Sequence, residues 1–370
     1  MKKVMHVIVG LEVGGAELML KRLILDSRKK ITHSVVSLTD IGPVGRLLGE
    51  HGIQVMALNT TSFLSKCFLI FRVVKAIRII SPDVVHTWMY HSDLVGGVAA
   101  KVVGVKNIVW CIRSNDITKG GSRLTLVIRR VCAILSRWVP NKIVCAAYAS
   151  KITHSRIGYD TTKIVVIPNG FVFSDTKAPS NFDIVDFRNE NGISSSDILI
   201  VSVARYNEVK DHRSFVAASV LLKGKHSNLK FLLVGRGNTE ANTNLVSILN
   251  EFGMSDEFIL LGEQSNVQRC LGASDIYCLH SVTEGFPNAL GEAMLARLPC
   301  VATDVGDAAL LLGDGSYIVP PSNPKALANA IDKLLMLEKE EREDIGGRLR
   351  ERVIENFSIE RMTMRYLELY

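Results

Sequence analysis

Short apolar runs rich in Val and Ile recur along the chain, each followed by a longer stretch in which apolar residues return every three or four positions. Short, fully apolar runs mark strands buried on both faces, and the longer stretches read as amphipathic helices. Their alternation predicts an α/β chain of parallel sheets with helices on both faces. In the first half, strands are expected at Val4–Gly10, His33–Leu38, Gln54–Leu58, Val84–Thr87, Ile108–Ile112, Lys142–Cys145 and Ile164–Ile167. In the second half they are expected at Ile198–Ala204, Leu229–Gly235, Phe258–Leu261, Ile276–Leu279, Cys300–Thr303 and Ser316–Val319.

Each half therefore holds enough strands for its own sheet. The segment Ile167–Asp183 is dense in Pro, Gly, Asn and Ser and reads as the linker. At 370 residues the chain exceeds the size at which one core keeps growing, so two domains with a cleft are expected. The expected boundaries are 1–178 for the first domain and 179–355 for the second. The helical stretch from Asp332 breaks at Asn356–Ser358, so 356–370 is expected as a terminal helix packing back on the first domain.

The opening MKKVMHVIVG has two lysines before an apolar run, as a signal peptide does, but the run breaks at Glu12 without a small-residue cleavage site. It reads as the first buried strand. No apolar stretch reaches the roughly 18 residues of a membrane-spanning helix. Seven cysteines (Cys67, Cys111, Cys132, Cys145, Cys270, Cys278, Cys300) are scattered without a C-x-x-C pair, against a disulfide framework or a zinc site and in favour of a reducing cytoplasm.

Charge divides the chain more sharply than its net +7 suggests. Residues 1–178 carry 25 Lys/Arg against 10 Asp/Glu, a charge of +15, while residues 179–370 carry 19 against 27, or −8. Such asymmetry points to an anionic partner for the first half. The cations concentrate, mixed with large apolar residues, in Lys66–Arg78 and Lys119–Lys142. Burial alone would place Leu124, Leu126, Ile128, Val131 and Leu135 in the core with only Arg and Lys outside. The same composition also suits helices lying on an anionic membrane surface, so peripheral association with the inner face of the cell membrane is expected. With aromatics at 6% and no recognised motif, a nucleic-acid binder is the weaker alternative and no nucleic-acid partner is expected.

The densest chemistry lies in TEGFPNALGEAMLARLPC, Thr283–Cys300. Leu290, Ala293 and Met294 fall on one helix face, Pro287 suits the first helical turn, and Glu292 points away from the core. Glu284 precedes the helix, and the backbone N–H groups of Gly285, Phe286, Pro287's neighbours and Asn288 are placed to meet an anion such as a diphosphate. Taken singly, each glutamate could be a solvated surface charge; the E-x7-E spacing around Gly-Phe-Pro-Asn argues otherwise.

On these residues the chain resembles the retaining glycosyltransferases of family GT4, which have the GT-B fold of two Rossmann-like doubly wound domains facing a cleft. The resemblance implies that Glu284 contacts the donor sugar, that Gly285, Phe286, Pro287 and Asn288 form the donor loop, and that Glu292 accepts hydrogen bonds from the ribose. It implies a nucleoside diphosphate sugar donor, a UDP-sugar ahead of a GDP-sugar, and retention at the anomeric carbon. A hexose or N-acetylhexosamine would pass to a saccharide acceptor, lipid-linked, in cell-surface polysaccharide synthesis. The alternative enzyme is a nucleotide-sugar epimerase of the same architecture.

Two cations of VSVARYNEVKDH, Arg205 and Lys210, follow the first strand of the second half, where ligands bind in open α/β sheets. They suit a leaving diphosphate, the role the family gives them, although Lys210 with Asp211 could merely decorate a helix start. No D-x-D pair occurs, so no metal or other cofactor is expected. Gly14 and Gly15, after the first strand, allow close backbone approach and by resemblance face the donor phosphates. Arg113 stands where the family has a histidine; it is either a salt-bridge partner or a contact to acceptor or donor. His86 and His91 are given no catalytic role. The Gly235-Arg236-Gly237 turn lacks the third glycine of a dinucleotide fingerprint.

Overall fold

The computed structural model describes residues 1–60, 68–115, 122–173, 179–313 and 317–370. Lys66, Cys67, Lys119, Ser316 and residues 174–178 of the expected linker lie outside the described residues. Within them, two sheets form, and every strand pair is parallel.

The first sheet contains β1 (Lys3–Ile8), β2 (Thr32–Ser37), β3 (Gln54–Ala57), β4 (Val84–Trp88), β5 (Asn107–Ile112), β6 (Lys142–Cys145) and β7 (Ile164–Val166), in the order β3-β2-β1-β4-β5-β6-β7. The second contains β8 (Ile198–Val203), β9 (Leu229–Val234), β10 (Phe258–Gly262), β11 (Ile276–Leu279), β12 (Cys300–Thr303) and β13 (Ile318–Val319), in the order β10-β9-β8-β11-β12-β13. Both orders reverse direction beside their first strand, at β1/β4 and at β8/β11. These switch points are where open parallel sheets leave a crevice at the strand carboxyl ends.

Every expected strand is present, several ending one or two residues early. β9 stops at Val234 because Gly235 turns to φ +131°, and a Cβ there would lie 2.3 Å from the Ala204 carbonyl oxygen. Strands buried on both faces explain the apolar runs: Val4 and Ile8 of β1 enter one core, Met5 and Val7 the other. The cysteines Cys111, Cys132, Cys145, Cys270, Cys278 and Cys300 are buried and free.

The chain divides into two compact units, 1–172 with 357–370, and 173–356. The last helix, Ile359–Leu369, thus belongs with the first sheet. It is joined there by Phe171 N–H to Phe357 O (2.8 Å) and Ile359 N–H to Phe171 O (2.9 Å). Gly170 permits the approach, since a Cβ on it would sit 2.8 Å from Ile359 Cα. Tyr370 then places its hydroxyl 2.7 Å from His86 Nδ1.

Beneath that helix runs a buried polar chain. Trp88 Nε1 donates to His6 Nδ1 (3.3 Å), which leaves the proton on His6 Nε2 to meet His33 Nδ1 at 3.0 Å. His33 Nε2 in turn meets Ser27 Oγ (2.8 Å), whose hydroxyl donates to Leu23 O (2.5 Å). All donors point one way, which requires neutral rings. Burial, the first cause for each, lowers His6 and His86 well below the usual histidine range and His33 to about 4.

Candidate active site

In the second unit, the loop after β8 and the loop after β11 meet. Asn207 caps the short turn Glu208–Lys210 through its side-chain oxygen, and Asp211 follows in the left-handed region at φ +52°, capping the next helix, His212–Lys223, by accepting from Ser214 N. This turn presents Lys210, whose Nζ lies 2.5 Å from Glu284 Oε1. Ser281 Oγ donates to the same carboxylate oxygen at 2.7 Å. Both ends of the ion pair are mostly withdrawn from water, at 19% and 14% side-chain exposure, which strengthens it beyond a surface pair.

His280 backs the pair. Its Nδ1 is 2.5 Å from Lys210 O and its Nε2 is 2.8 Å from Ser202 Oγ, while the ring stacks on Phe215 at 4.6 Å between centroids. Burial first, then the neighbouring His212, holds its pKa well below the usual range, so the ring is neutral. Val282 N–H to Val209 O (2.8 Å) and Thr303 Oγ1 to Ser281 O (2.7 Å) tie the two loops to each other and to β12.

Past Glu284 the chain enters the helix Asn288–Leu295. Pro287 is its cap, at φ −78° and ψ 91°, rather than a member of its first turn as expected: an extended ψ keeps the residue outside the helical register. Leu290, Ala293 and Met294 are buried as their spacing required; Glu292 is half-buried between them. Phe286 is buried, while Gly285 and Asn288 are partly open. Tyr277, fully buried in β11, has its phenol pushed well up by burial first, with Glu284 and Glu292 among the charges that add to the shift. Arg205 is exposed and forms no ion pair with a described residue.

In the first unit, Gly14 caps the helix Gly15–Ser27 with extended backbone, and a Cβ on it would meet Glu17 Oε2 at 2.4 Å. Glu17 is raised above the usual carboxylate range by burial, opposed by a hydrogen bond to its own backbone and by the charge of Arg113. Arg113, just past β5, donates through Nη2 to Asn169 Oδ1 and through Nη1 to Tyr366 Oη (3.5 Å), and its guanidinium lies 5.5 Å from the Trp88 ring centroid. Its partners here are an amide, a phenol, an indole and the Cys111 sulfur at 4.0 Å. His86 is buried under the last helix, and His91 is half-buried.

Comparison with known proteins matches this arrangement over both units. Residues 13–173 fit the family model for Glycosyltransferase Family 4, and residues 183–352 fit that for Glycosyl transferases group 1. The chain belongs to the family 4, group 1 glycosyltransferases. Among relatives, the N-acetyl-alpha-D-glucosaminyl L-malate synthase of Bacillus anthracis is 27% identical, the alignment covering 74% of this chain and 70% of that one. The UDP-Gal:alpha-D-GlcNAc-diphosphoundecaprenol alpha-1,3-galactosyltransferase of Escherichia coli is 22% identical, covering 78% and 75%. The crystal structure of Anabaena Alr3699/HepE in complex with UDP superposes with a TM-score of 0.85 at 21% identity, covering 100% of this chain and 99% of that one, and shares the GT-B fold.

In this glycosyltransferase Lys210 and Glu284, each legible in the sequence by its own motif, are brought together by the fold. Ser281 and His280 carry no comparable sequence signal. Both sit in the apolar-to-polar transition after β11, but nothing in their identity announces that one holds Glu284 and the other the Lys210 carbonyl. Among the described residues no group of three or more His, Cys, Asp or Glu is arranged to hold a metal ion.

Proposed function

We propose that this glycosyltransferase moves a hexose or N-acetylhexosamine from a UDP-sugar to a lipid-linked saccharide, with retention, in the assembly of a cell-surface polysaccharide. The observation that carries the reading is the Lys210–Glu284–Ser281 cluster at the β8/β11 switch point. Lys210 supplies positive charge to the leaving diphosphate, joined by the backbone N–H groups of Gly285, Phe286 and Asn288 and by Arg205, and no metal ion is required. Glu284, held by two donors on Oε1, acts as a fixed acceptor for sugar hydroxyls, and Glu292 accepts from the ribose. A carboxylate restrained in this way is a poor proton shuttle, so the departing phosphate oxygen takes the acceptor proton.

Gly14, Gly15 and Arg113 of the first unit are assigned to donor and acceptor contact. The UDP complex of the Anabaena protein and the UDP-Gal donor and diphosphoundecaprenol-linked acceptor named for the E. coli relative support the donor class and the lipid carrier. A lipid carrier places the protein at the inner membrane face; no helix among the described residues is long and apolar enough to cross a membrane.

A thermal-shift panel of nucleoside diphosphate sugars identifies the donor, because a ligand that binds only the folded state raises its stability. Glu284→Ala is expected to lower kcat by about a hundredfold or more while donor KM changes by less than about threefold. Equal losses in kcat and in donor affinity would overturn the role given to Glu284. Transfer in the presence of EDTA at the untreated rate checks the metal-independent mechanism.

A further inference from the structure

Three helices of the first unit pack side by side in the order Leu69–Ile80, Tyr90–Val103 and Arg123–Leu135. The third does not present the face that burial alone predicts. Leu124 and Ile134 are 64% and 62% exposed, Val127 and Val131 are exposed with them, and Trp138 follows just beyond the helix. Spaced at i, i+3, i+7, i+10 and i+14, these five make one apolar ridge. Arg123, Arg130 and Arg137, seven residues apart, are exposed alongside it, and Arg129 is buried instead. The first helix repeats the mixture with exposed Phe68, Phe71 and Ile79 beside Lys75 and Arg78. Neither of these two helices contains an acidic residue.

At the carboxyl end of the ridge lies a cavity of about 520 Å³ lined by Arg129, Arg130, Ala133, Ile134, Arg137 and Ile157, with Gly158 at its rim. Lys163, which does not line the cavity, holds the backbone beside Arg137, its Nζ donating to Ser136 O (3.1 Å) and Arg137 O (2.7 Å). The carboxylate close to Arg137, Asp160, accepts from Thr162 N and Thr162 Oγ1 and lies 3.9 Å from Lys163 Nζ, so it is engaged within its own turn. Guanidinium groups around an apolar floor match a phosphate that carries hydrocarbon, since arginine's planar donors fit phosphate oxygens in pairs. Single-sign charge beside an exposed apolar ridge matches a bilayer of anionic lipid.

We propose that this cavity holds the headgroup phosphate of an anionic phospholipid while Leu124, Val127, Val131, Ile134 and Trp138 enter the bilayer interface. The proposal rests on the membrane partner given above and narrows it to one face and one ligand. Two exposed cations, Arg130 and Arg137, then set lipid selectivity, and the ridge sets the depth of insertion.

The test is co-sedimentation of the full chain with phosphatidylcholine vesicles and with vesicles containing phosphatidylglycerol, at low salt. Wild type is expected to bind the anionic vesicles at least about tenfold more tightly than the neutral ones. The double variant Arg130→Gln/Arg137→Gln should lose most of that preference, whereas Lys29→Gln/Lys30→Gln, which removes equal charge elsewhere in the unit, should keep it. Transfer to a detergent-free soluble acceptor and the thermal midpoint should be unchanged in both. Ile134→Ser/Trp138→Ser should weaken binding to both kinds of vesicle. If wild type ignores anionic vesicles, the membrane partner falls and the cavity with it. If wild type binds and the arginine pair can be removed without effect, or the Lys29/Lys30 pair matters as much, the cavity proposal alone falls. Release of wild type from vesicles by millimolar glycerol phosphate would assign the cavity to a soluble anion and overturn the lipid assignment.

Discussion

At His280 a backbone carbonyl decides the tautomer. Lys210 O can only accept, so Nδ1 carries the proton, and Nε2 must accept from Ser202 Oγ. The ring is thus a rigid strut between β8 and the turn that carries Lys210, and burial keeps it neutral. His280→Phe preserves the stack on Phe215 but leaves the Lys210 carbonyl without its donor. We expect kcat to fall about tenfold or more with a smaller change in donor KM, because the ion pair is displaced rather than deleted. His280→Asn, whose amide can reach the same carbonyl, should recover part of kcat; steady-state kinetics of the two variants distinguish positioning from simple loss of packing. Residues of this kind are invisible to sequence reading. Lys210 and Glu284 declare themselves by charge and spacing, whereas a buried imidazole is defined by what it touches. Arg113 shows the converse: its charge was legible, but its setting of Asn169, Tyr366 and Trp88 comes from three distant stretches of chain.

Among the elements, the loop 284–287 depends on a glycine outside the motif. Gly306, past β12, has φ +57°, and a Cβ on it would fall 2.2 Å from Gly285 O, which already accepts from Asp307 N (2.9 Å). Gly306→Ala should therefore destabilise the second unit by at least about 1 kcal/mol and push the Glu284–Gly285 backbone aside. Denaturant midpoints and UDP-sugar titration check the two effects; an alanine that leaves donor affinity intact would show that the loop is held elsewhere. The strands were legible because strands buried on both faces favour short Val/Ile-rich runs, although an apolar run alone does not decide the element: Ala308–Leu312 is as apolar and is a helix. The helix Arg123–Leu135 was less legible. Its apolar positions fit a core stripe equally well in pattern, and only packing beside the helix Tyr90–Val103 decides that Cys132 and Ala133 turn inward while Leu124 and Ile134 face out.

For the molecule as a whole, buried neutral histidines tie stability to pH. His6, His33 and His86 lie in the first unit and His212 and His280 in the second; His33 and His212 are lowered to about 4, and burial is the first cause for all five. In the unfolded chain each titrates near 6.5, so below that pH the unfolded state binds protons that the folded state does not. The stability they contribute is complete above about pH 6.5 and is lost as pH falls toward 4, by up to about 1.4 kcal/mol per pH unit for each such histidine. Chemical denaturation between pH 7 and 4.5 should show this slope, and Tyr370→Phe, which removes the hydroxyl facing His86 Nδ1, should lower stability at pH 7 by about 1 kcal/mol. A flat profile from pH 7 to 5 would contradict the buried neutral state.

Alternating apolar runs and helical stretches by themselves determined two doubly wound sheets, because strand burial and helix amphipathicity are local properties of composition and spacing. The E-x7-E motif and the cations after β8 carried the resemblance to the family that the models matched over both units show. Tertiary structure alone decided which of those groups meet: Lys210 with Glu284 across 74 positions, His86 with Tyr370 across 284, and an arginine cluster with an exposed apolar ridge. Such pairings depend on strand order and on which helix face finds a neighbour, and neither is written in the spacing of any one segment.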